Sequence, residues 1–526
     1  MDARSLPKCS FTTLNLLVIF GGLVVGEARL VGAESSSPGV EIIRGPYLQC
    51  GTTTNIIVRW RTDVLTDSLV TFGLAASALD WSVLDPDMVT DHAVTLTNLA
   101  PNTKYYYSIG TSDFVLAGDT GHFFRTAPAE PKPTRIWAIG DSGTASAFGL
   151  GSWEVRDAYR TFTAERETDV WLMLGDNAYW IGTDEEYQIG VFDTYPDFLR
   201  RNSVWSTIGN HDAATPSAYF DIFSLPTDGR AGGLASGSEN YYSFDYSDIH
   251  FVCLDSELSA NTPGSPMLTW LEADLAANTR LWTIAFWHSP PYNFGTHNSD
   301  DPSDTGGHLV QMRENVVPIL ESYGVDLVLC GHSHSYERSF LLNGHYGYSD
   351  TLTPRMIKDS GSGRSDDTGP YRKATSGPGP QEGAVYVVAG SSGWVTGDLL
   401  GLPAYLHPAM YIKLKELGSM VIDVNTNRLD AKFLRETGEI GDSFTLIKGG
   451  GPEPFRFAQF RVQDGLISAR WYSVDGGIYR IQSTRSIENP DWSDVSEDID
   501  STGNSTTWLG FVEHPEQSFF RVRKMN

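Results

Sequence analysis

The stretch Asp169-Val-Trp-Leu-Met-Leu-Gly-Asp-Asn-Ala-Tyr179 places an acidic side chain, an amide and a phenol directly after an apolar run. The run 169–174 has the length and composition of a buried strand. Gly175 lets the backbone turn sharply, so that Asp176 and Tyr179 project from the edge of the sheet. Because ligands converge at strand ends in an open α/β sheet, the stretch predicts such a sheet with a site at its edge.

Four further blocks have the same form, and each again follows an apolar run: Gly140-Asp141-Ser142-Gly143, Gly209-Asn210-His211-Asp212, Trp287-His288-Ser289-Pro290 and Gly331-His332-Ser333-His334. Taken singly, each block is explained by a turn residue or a buried imidazole. Taken together, the five blocks place carboxylates, an amide, imidazoles and a phenol at the strand ends of one domain, which is the inventory of a two-metal site. Carboxylate and phenolate oxygens suit a trivalent ion, whereas imidazole and amide suit Zn, Fe or Mn. Since a phenol binds as phenolate only when a strong Lewis acid takes its proton, Tyr179 favours Fe(III).

The surrounding chain alternates strands with amphipathic segments. Residues 135–139 have the pattern of a strand and residues 153–167 that of a helix. This alternation predicts an α/β sandwich. Residues 341–383 are rich in Gly, Ser, Asp and Pro, and we expect a long excursion that either rims the site or forms a solvated surface loop.

Short alternating segments on both sides of this region predict two small β domains. In the first, the stretch Leu99–Ile109 resembles the tyrosine corner of fibronectin type III domains, with Trp60 as the matching core tryptophan. The second begins after the Gly449-Gly-Gly-Pro452 punctuation. The predicted domains are residues 38–128, fibronectin type III-like; 133–449, α/β; and 453–526, a C-terminal β domain.

Length, charge and the first residues restrict the class of protein. At roughly 150 residues per domain, 526 residues correspond to three or four domains. The 38 Lys+Arg against 65 Asp+Glu give a net charge of −27, which disfavours nucleic acid and anionic membranes as partners.

A basic start, the apolar stretch 11–25 and small residues before Glu34 predict a signal peptide over residues 1–33. We therefore expect a secreted, periplasmic or cell-surface protein without membrane insertion after cleavage. The three cysteines that then remain are expected to be buried, with no disulfide network.

The order and spelling of the five blocks, with Ser335-Tyr336-Glu337-Arg338 after the last, resemble those of the purple acid phosphatases within the calcineurin-like metallophosphoesterases. The resemblance spans residues 135–449, and the preceding fibronectin-like domain is what the plant-type members also carry. It implies a multidomain protein whose central domain is a four-layer α/β fold, a β-sandwich flanked by helices. The C-terminal β unit lies outside the resemblance.

The resemblance also implies the site. Its ferric ligands are Asp141, Asp176, Tyr179 and His334. Asp176 bridges to a divalent ion (Zn, Fe or Mn) that is completed by Asn210, His288 and His332. His211 matches a histidine that contacts substrate phosphate, and His297 matches a second one in the plant-type enzymes, although this chain reads Thr296-His297-Asn298 and lacks the adjacent second histidine of those enzymes. Asp212 stands where many members have Glu.

The implied function is an exported acid phosphatase that hydrolyses small phosphate monoesters by in-line attack of a metal-activated hydroxide, with His211 and His297 as catalytic residues. A metallophosphoesterase that prefers phosphodiesters, nucleotides or phytate would carry nearly identical blocks. Two more distant alternatives remain. One is an aspartic protease, because Asp141-Ser-Gly and Asp359-Ser-Gly both have the sequence of its Asp-Ser-Gly motif, and the other is a non-catalytic exported binding protein. The sequence leaves the oligomeric state open.

Overall fold

The computed structural model describes residues 39–146, 151–164, 166–395, 406–449, 457–463, 465–473, 477–486, 491–501, 505–511 and 518–525. The predicted signal peptide, residues 1–33, lies outside these ranges. Within them, none of the helices has the length and apolar character needed to cross a membrane.

The N-terminal domain is built from six strands: β1 Ile42–Gln49, β2 Ile56–Gly73, β3 Trp81–Leu96, β4 Lys104–Gly110, β5 Val115–Ala117 and β6 Phe123–Arg125. The long strand β2 pairs with β3 along most of its length, with β1 in its first half and with β4 in its second half. The six strands are thereby linked into one sheet, in which β2 is the central strand.

The core of this domain confirms two expectations. Trp60 is buried and stacks on His92 with ring centroids 4.5 Å apart. The hydroxyl of Tyr105 accepts a hydrogen bond from Ala100 N at 3.0 Å, which is the backbone contact of a tyrosine corner. The aromatic residues of this stretch thus have a structural role.

The central domain contains sixteen strands among the described residues: β7 Thr134–Ile139, β8 Val170–Met173, β9 Val204–Ser206, β10 Tyr242–Tyr246, β11 Ile249–Cys253, β12 Trp282–Trp287, β13 Leu327–Cys330, β14 Tyr336–Ser339, β15 Leu341–Leu342, β16 Ile357–Asp359, β17 Tyr371–Lys373, β18 Val385–Ala389, β19 Met410–Leu414, β20 Gly418–Asn425, β21 Arg428–Arg435 and β22 Ile440–Lys448. Its α-helices are α1 Ser152–Thr163, α2 Asp184–Tyr187, α3 Pro196–Leu199, α4 Pro216–Ile222, α5 Pro266–Ala277, α6 His308–Gln311 and α7 Val317–Ser322.

Fourteen of these strands form two seven-stranded sheets, in the orders β17-β22-β21-β20-β7-β8-β9 and β10-β11-β12-β13-β18-β14-β19, and β15 pairs with β16 in a separate two-stranded sheet. One apolar core joins the sheets, since it contains Ile136 and Leu172 of the first and Ile284 of the second. Helices α5 and α7 pack Leu271 and Leu320 on the outer side of the second sheet. The predicted β-sandwich flanked by helices is thereby confirmed.

Two local expectations were wrong. The helix predicted over 153–167 ends at Thr163, because Ala164 turns to a left-handed φ of 47° and its N–H returns to Arg160 O. The segment 341–383 is not a plain loop, since it contributes β15, β16 and β17. Tyr371 in this segment is fully buried, and its hydroxyl accepts a hydrogen bond from Arg338.

The described residues of the C-terminal region contain seven strands: β23 Phe457–Gln463, β24 Leu466–Tyr472, β25 Ile478–Thr484, β26 Ser493–Asp494, β27 Ile499–Asp500, β28 Ser505–Phe511 and β29 Phe519–Lys524. They make a three-stranded and a four-stranded sheet. Trp471 and Tyr479 meet in the small core that lies between the two.

The cysteines follow the sequence expectation. Cys50, Cys253 and Cys330 are all buried free thiols. Burial raises the pKa of Cys50 to about 12, so this thiol stays protonated at neutral pH.

Candidate metal centre

The five blocks meet because the strands that precede them run in the same direction. Strands β7, β8 and β9 are mutually parallel in the first sheet, and β12 is parallel to β13 in the second. Their carboxyl ends lie at one edge of the sandwich, where Asp141, Asp176, Asn210, His288 and the pair His332 and His334 emerge.

The backbone at this edge adopts conformations that L-residues seldom take. Asp141, Asp176 and His332 have φ values of 55°, 53° and 69°. Such left-handed non-glycine residues persist where the surrounding structure holds them, and they cluster at functional sites. Gly175, at φ 87°, also lacks room for a side chain, because a Cβ there would lie against the imidazole of His288.

A first set of donor atoms surrounds the phenol of Tyr179. Tyr179 Oη donates to Asp176 Oδ2 at 2.9 Å and lies 3.3 Å from both Asp141 Oδ1 and His334 Nε2. Ligand atoms of Asp141, Asp176 and His334 all lie within 4.8 Å of one another. Two carboxylates, a phenol and an imidazole thus share one small space.

A second set of donor atoms lies on the other side of Asp176. Asn210 Oδ1 is 3.0 Å from His288 Nε2 and 2.9 Å from His332 Nδ1. His288 Nε2 is 3.4 Å from Asp176 Oδ1, the carboxylate oxygen that does not contact Tyr179. The two oxygens of Asp176 therefore face different donor sets.

Contacts outside the two sets orient the imidazoles. His288 Nδ1 donates to Leu174 O at 2.9 Å, which leaves Nε2 directed at Asn210 and Asp176. His332 Nε2 contacts the hydroxyl of Thr305 at 2.7 Å, so that Nδ1 faces the second set. Outer hydrogen bonds of this kind fix the ring orientation of metal-binding histidines.

The electrostatics favour added positive charge. Burial alone would raise the pKa of Asp176, but the charge and hydrogen bond of His288 hold it well below its ordinary value. Burial alone would lower the pKa of His288, but Asp176 and Asp141 raise it well above its ordinary value. Burial, reinforced by the same two carboxylates, raises the pKa of Tyr179. The positive charge of protonated His288 thus compensates carboxylates that a bound cation could compensate instead, and the protonated phenol of Tyr179 adds no negative charge.

His211 lies at the open side of the two sets. Its Nδ1 contacts Trp180 O at 2.6 Å, and its Nε2 is 3.9 Å from Asp176 Oδ2. Its ring packs on Tyr179 with centroids 4.4 Å apart. With a side chain 28% exposed, it is placed to reach a molecule that enters the site.

His297 lies close to the second set. Its Nδ1 is 2.8 Å from Asp304 Oδ1, and its ring stacks on His332 with centroids 3.8 Å apart. Asp304 and Thr305, which support His297 and His332, were not found from the sequence. They follow His297 in a polar loop, where no spacing or periodicity distinguishes them from solvated residues.

Asp212 has a role that the sequence analysis also missed. Its buried carboxylate accepts from Gly209 N at 2.9 Å, from Asn177 Nδ2 at 2.9 Å and from the hydroxyl of Tyr187 at 2.5 Å. Burial and the charge of Asp176 raise its pKa to about 6. Asp212 therefore ties the loop after β8 to the loop after β9.

The second Asp-Ser-Gly is a turn. Asp359 Oδ1 accepts from Gly361 N at 2.8 Å, and its strand β16 pairs with β15 in a separate two-stranded sheet. Asp141 instead shares its space with Asp176. The paired aspartates of an aspartic protease are not formed.

Comparison with known proteins agrees with this geometry. Residues 134–336 match the calcineurin-like phosphoesterase family, and residues 44–126 match the N-terminal domain of purple acid phosphatases. An uncharacterised protein of Mycobacterium tuberculosis is 26% identical over 74% of this chain and 80% of its own length. Purple acid phosphatase 15 of Arabidopsis thaliana is 29% identical over 49% of this chain, which spans half of that relative's length.

The fold also has a solved counterpart. The purple acid phosphatase PPD1 from seeds of yellow lupin, Lupinus luteus, superposes with a TM-score of 0.60 over 77% of this chain and 75% of its own, at 17% identity. The chain therefore contains a calcineurin-like phosphoesterase domain, preceded by an N-terminal domain of the purple acid phosphatase type.

Proposed function

We propose that the protein is a binuclear-metal phosphatase that hydrolyses small phosphate monoesters. The observation that carries the proposal is Asp176, whose two oxygens face separate donor sets within one buried site. A carboxylate in this position can bridge two cations, and an uncompensated pair of buried carboxylates is costly without them.

The first set would hold Fe(III). Asp141, Asp176, Tyr179 and His334 supply hard oxygen donors and one imidazole, a combination suited to a trivalent ion. The raised pKa of Tyr179 means that its phenol gives up the proton only to a strong Lewis acid. The buried position of the phenol between two carboxylates therefore supports iron at this set.

The second set would hold a divalent ion, Zn, Fe or Mn. Asn210, His288 and His332 supply one amide oxygen and two imidazole nitrogens, and Asp176 supplies the shared carboxylate. The two ions, when bound, would neutralise phosphate oxygens and acidify a water molecule for attack on phosphorus.

The two histidines at the open side of the site would donate a proton and stabilise the charge of the phosphate. His211, held by the carbonyl of Trp180 through Nδ1, presents Nε2 to the site and can donate a proton to the leaving oxygen. Asp304 keeps Nδ1 of His297 in a charge-assisted hydrogen bond, so that ring can place positive charge near a phosphate. A protonated imidazole is needed for both roles, which favours activity at mildly acidic pH.

Export to the periplasm, the cell surface or the medium is part of the proposal. It is supported by the basic and apolar pattern of the first residues. A small phosphate ester is the proposed substrate, and the net charge of −27 makes a nucleic acid a poor one.

The visible absorption spectrum and the metal content of the purified protein test the metal assignment. We expect two metal ions per chain and a broad tyrosinate-to-iron band that disappears in Tyr179→Phe. Tyr187→Phe is the matched control, because Tyr187 is an equally buried phenol whose hydroxyl bonds to Asp212. A colourless protein with two divalent ions would remove the iron, and a protein that binds no metal would overturn the proposal.

A substrate panel tests the ester class separately. The rates for p-nitrophenyl phosphate, its bis-ester, ATP and phytate are measured on the same metal-loaded preparation. The proposal requires the highest kcat/KM for p-nitrophenyl phosphate. A preference for the bis-ester or ATP would keep the phosphoesterase and contradict the monoester assignment, whereas a preference for phytate, which is itself a phosphate monoester, would contradict only the small size of the substrate.

A further inference from the structure

A cavity of about 360 Å³ lies between the N-terminal sandwich and the central domain. Phe123, Phe124 and Arg125 of β6 line it on one side, and Trp205 and Tyr246 line it on the other. Its volume is within the range of small-molecule sites, which form preferentially where two domains meet.

The cavity is distinct from the metal centre. Thr168 and Asp169 line it and come directly before β8, whereas Asp176 follows the other end of that strand. Asn202 and Ser203 likewise precede β9, and Asn210 follows it. Four residues of β8 span about 13 Å at ~3.3 Å per residue, so the cavity occupies the opposite edge of the sheet.

The inner wall of the cavity is aromatic. Phe124, Trp205 and Tyr246 are buried, and Trp205 is fixed by stacking on Phe244 with centroids 3.8 Å apart. Tyr246 donates its hydroxyl to Asp169, which also pairs with Lys132 at 2.7 Å. The polar groups at the base are thus already bonded to each other, and the wall offers rigid ring surface.

The rim carries positive charge in a strongly acidic protein. Four arginines line the cavity: Arg125, Arg160, Arg166 and Arg201. Arg125 pairs with Glu167 and Arg160 with Asp197. Arg166 pairs with Asp423, which does not line the cavity.

Arg201 differs from the other three. Its Nε donates to Gly121 O at 3.1 Å, and its guanidinium lies 5.2 Å from the ring centroid of Phe123. In the parts of the chain that the structure describes, no carboxylate forms an ion pair with Arg201. It is therefore held in place by a carbonyl and a ring while its positive charge remains available.

We propose that the cavity binds an amphipathic organic anion. A planar apolar body would pack against Phe124 and Trp205, and an acidic group such as a carboxylate, sulfonate or phosphate would pair with Arg201. Since both domains line the cavity, the bound molecule would tie them together and raise the unfolding temperature of the protein.

Fluorescence titration with anilinonaphthalene sulfonate tests the proposal, with phenylnaphthylamine as the uncharged probe. We expect saturable binding of the sulfonate that Arg201→Gln weakens about tenfold, the scale of a lost charged hydrogen bond. Arg480→Gln, an arginine of the C-terminal domain that pairs with Asp494 and Asp498, is the matched control and should leave binding unchanged. The affinity of the uncharged probe should be the same in both variants.

Two further measurements locate the probe. Ala164 lines the cavity and is exposed, so Ala164→Phe should obstruct it and abolish saturable binding. Removal of metal by a chelator should leave the affinity unchanged, because the metal centre is at the other edge. Equal binding by the Arg201 and Arg480 variants, binding that survives Ala164→Phe, or loss of binding on metal removal would each overturn the proposal.

Discussion

Asp176 and Asp326 are both fully buried carboxylates beside parallel strands, yet their partners differ. Asp326 precedes β13 and pairs with two buried lysines, Lys373 at 2.6 Å and Lys448 at 2.9 Å. Asp176 follows β8 and faces the phenol of Tyr179 and the imidazole of His288. Among the described residues, no lysine or arginine forms an ion pair with Asp176 or Asp141.

This difference distinguishes buried carboxylates that stabilise the fold from buried carboxylates that can bind a metal ion. At the amino edge, carboxylates are neutralised by fixed cations of the chain, as Asp169 also is by Lys132. At the carboxyl edge, they are left with groups that can exchange a proton for a metal ion. A buried carboxylate thus indicates a metal site here only because its partners are phenol and imidazole.

The largest expected effect is from Asp176→Asn, which removes the carboxylate shared by the two donor sets. We expect loss of bound metal and a fall in phosphatase kcat of at least about a thousandfold, since metal ions supply several kcal/mol of transition-state stabilisation. Metal content and kcat are measured on the same sample.

Asp169→Asn is the control at the amino end of the same strand. Its carboxylate bonds to Lys132 and Tyr246, so activity should stay within a few-fold of the parent. Equal losses in the two variants would contradict the separation of the two edges.

The next largest effect is expected for Asp326→Asn, through stability. Removal of this charge leaves Lys373 and Lys448 buried without a counter-charge, which costs about 3–5 kcal/mol in the free energy of unfolding. Urea unfolding measures the loss. Asp366→Asn, which breaks the exposed pair with Arg364, should leave the free energy of unfolding nearly unchanged. A similarly small change in the free energy of unfolding of both variants would contradict the larger stabilising role assigned to the cluster of Asp326, Lys373 and Lys448.

The donors at the carboxyl edge could be predicted from the sequence because each of them lies close, along the chain, to the apolar run that predicts its strand. Each donor directly follows an apolar strand, and glycine marks most of the turns, as at Gly175 before Asp176. The tyrosine corner at Tyr105 was visible for the same reason, since its hydrogen bond to Ala100 spans only five residues.

The amino edge could not be predicted because its contacts join distant segments. Lys373 lies in the stretch interpreted as an excursion, yet its ammonium reaches Asp326. The interdomain cavity likewise combines β6 with the starts of β8 and β9, and nothing in the local pattern of Arg201 or Trp205 marks them as neighbours. The end of α1 depends on the left-handed φ of Ala164, which the hydrophobic periodicity of the sequence does not predict.

His250 provides a pH-dependent test of fixed charge away from the metal centre. Its Nδ1 and Nε2 lie 2.8 Å from Asp245 and Asp274, and these contacts outweigh burial and raise its pKa to about 9. The stabilisation is complete below the unfolded-state pKa of about 6.5 and is lost as pH rises through about 9. The shift corresponds to about 3 kcal/mol.

Urea unfolding of the parent and of His250→Gln between pH 6 and pH 9.5 measures this contribution. The parent should lose more stability than the variant across that range. His92→Gln is the control, because burial lowers the pKa of His92 to about 4 and the imidazole stays neutral throughout. An identical pH dependence of the parent and His250→Gln would contradict the assignment.

The smallest effect is expected for His211→Ala, which tests whether the half-exposed His211 differs in role from the buried metal donors at the carboxyl edge. Because His211 touches Tyr179 and the carbonyl of Trp180 at the open side, His211→Ala should keep both metal ions while kcat falls about a hundredfold. His122→Ala, whose imidazole bonds to Asp119 in the N-terminal domain, should leave metal content and kcat unchanged. A loss of metal in His211→Ala would place His211 among the donors, and an unchanged kcat would remove it from proton transfer.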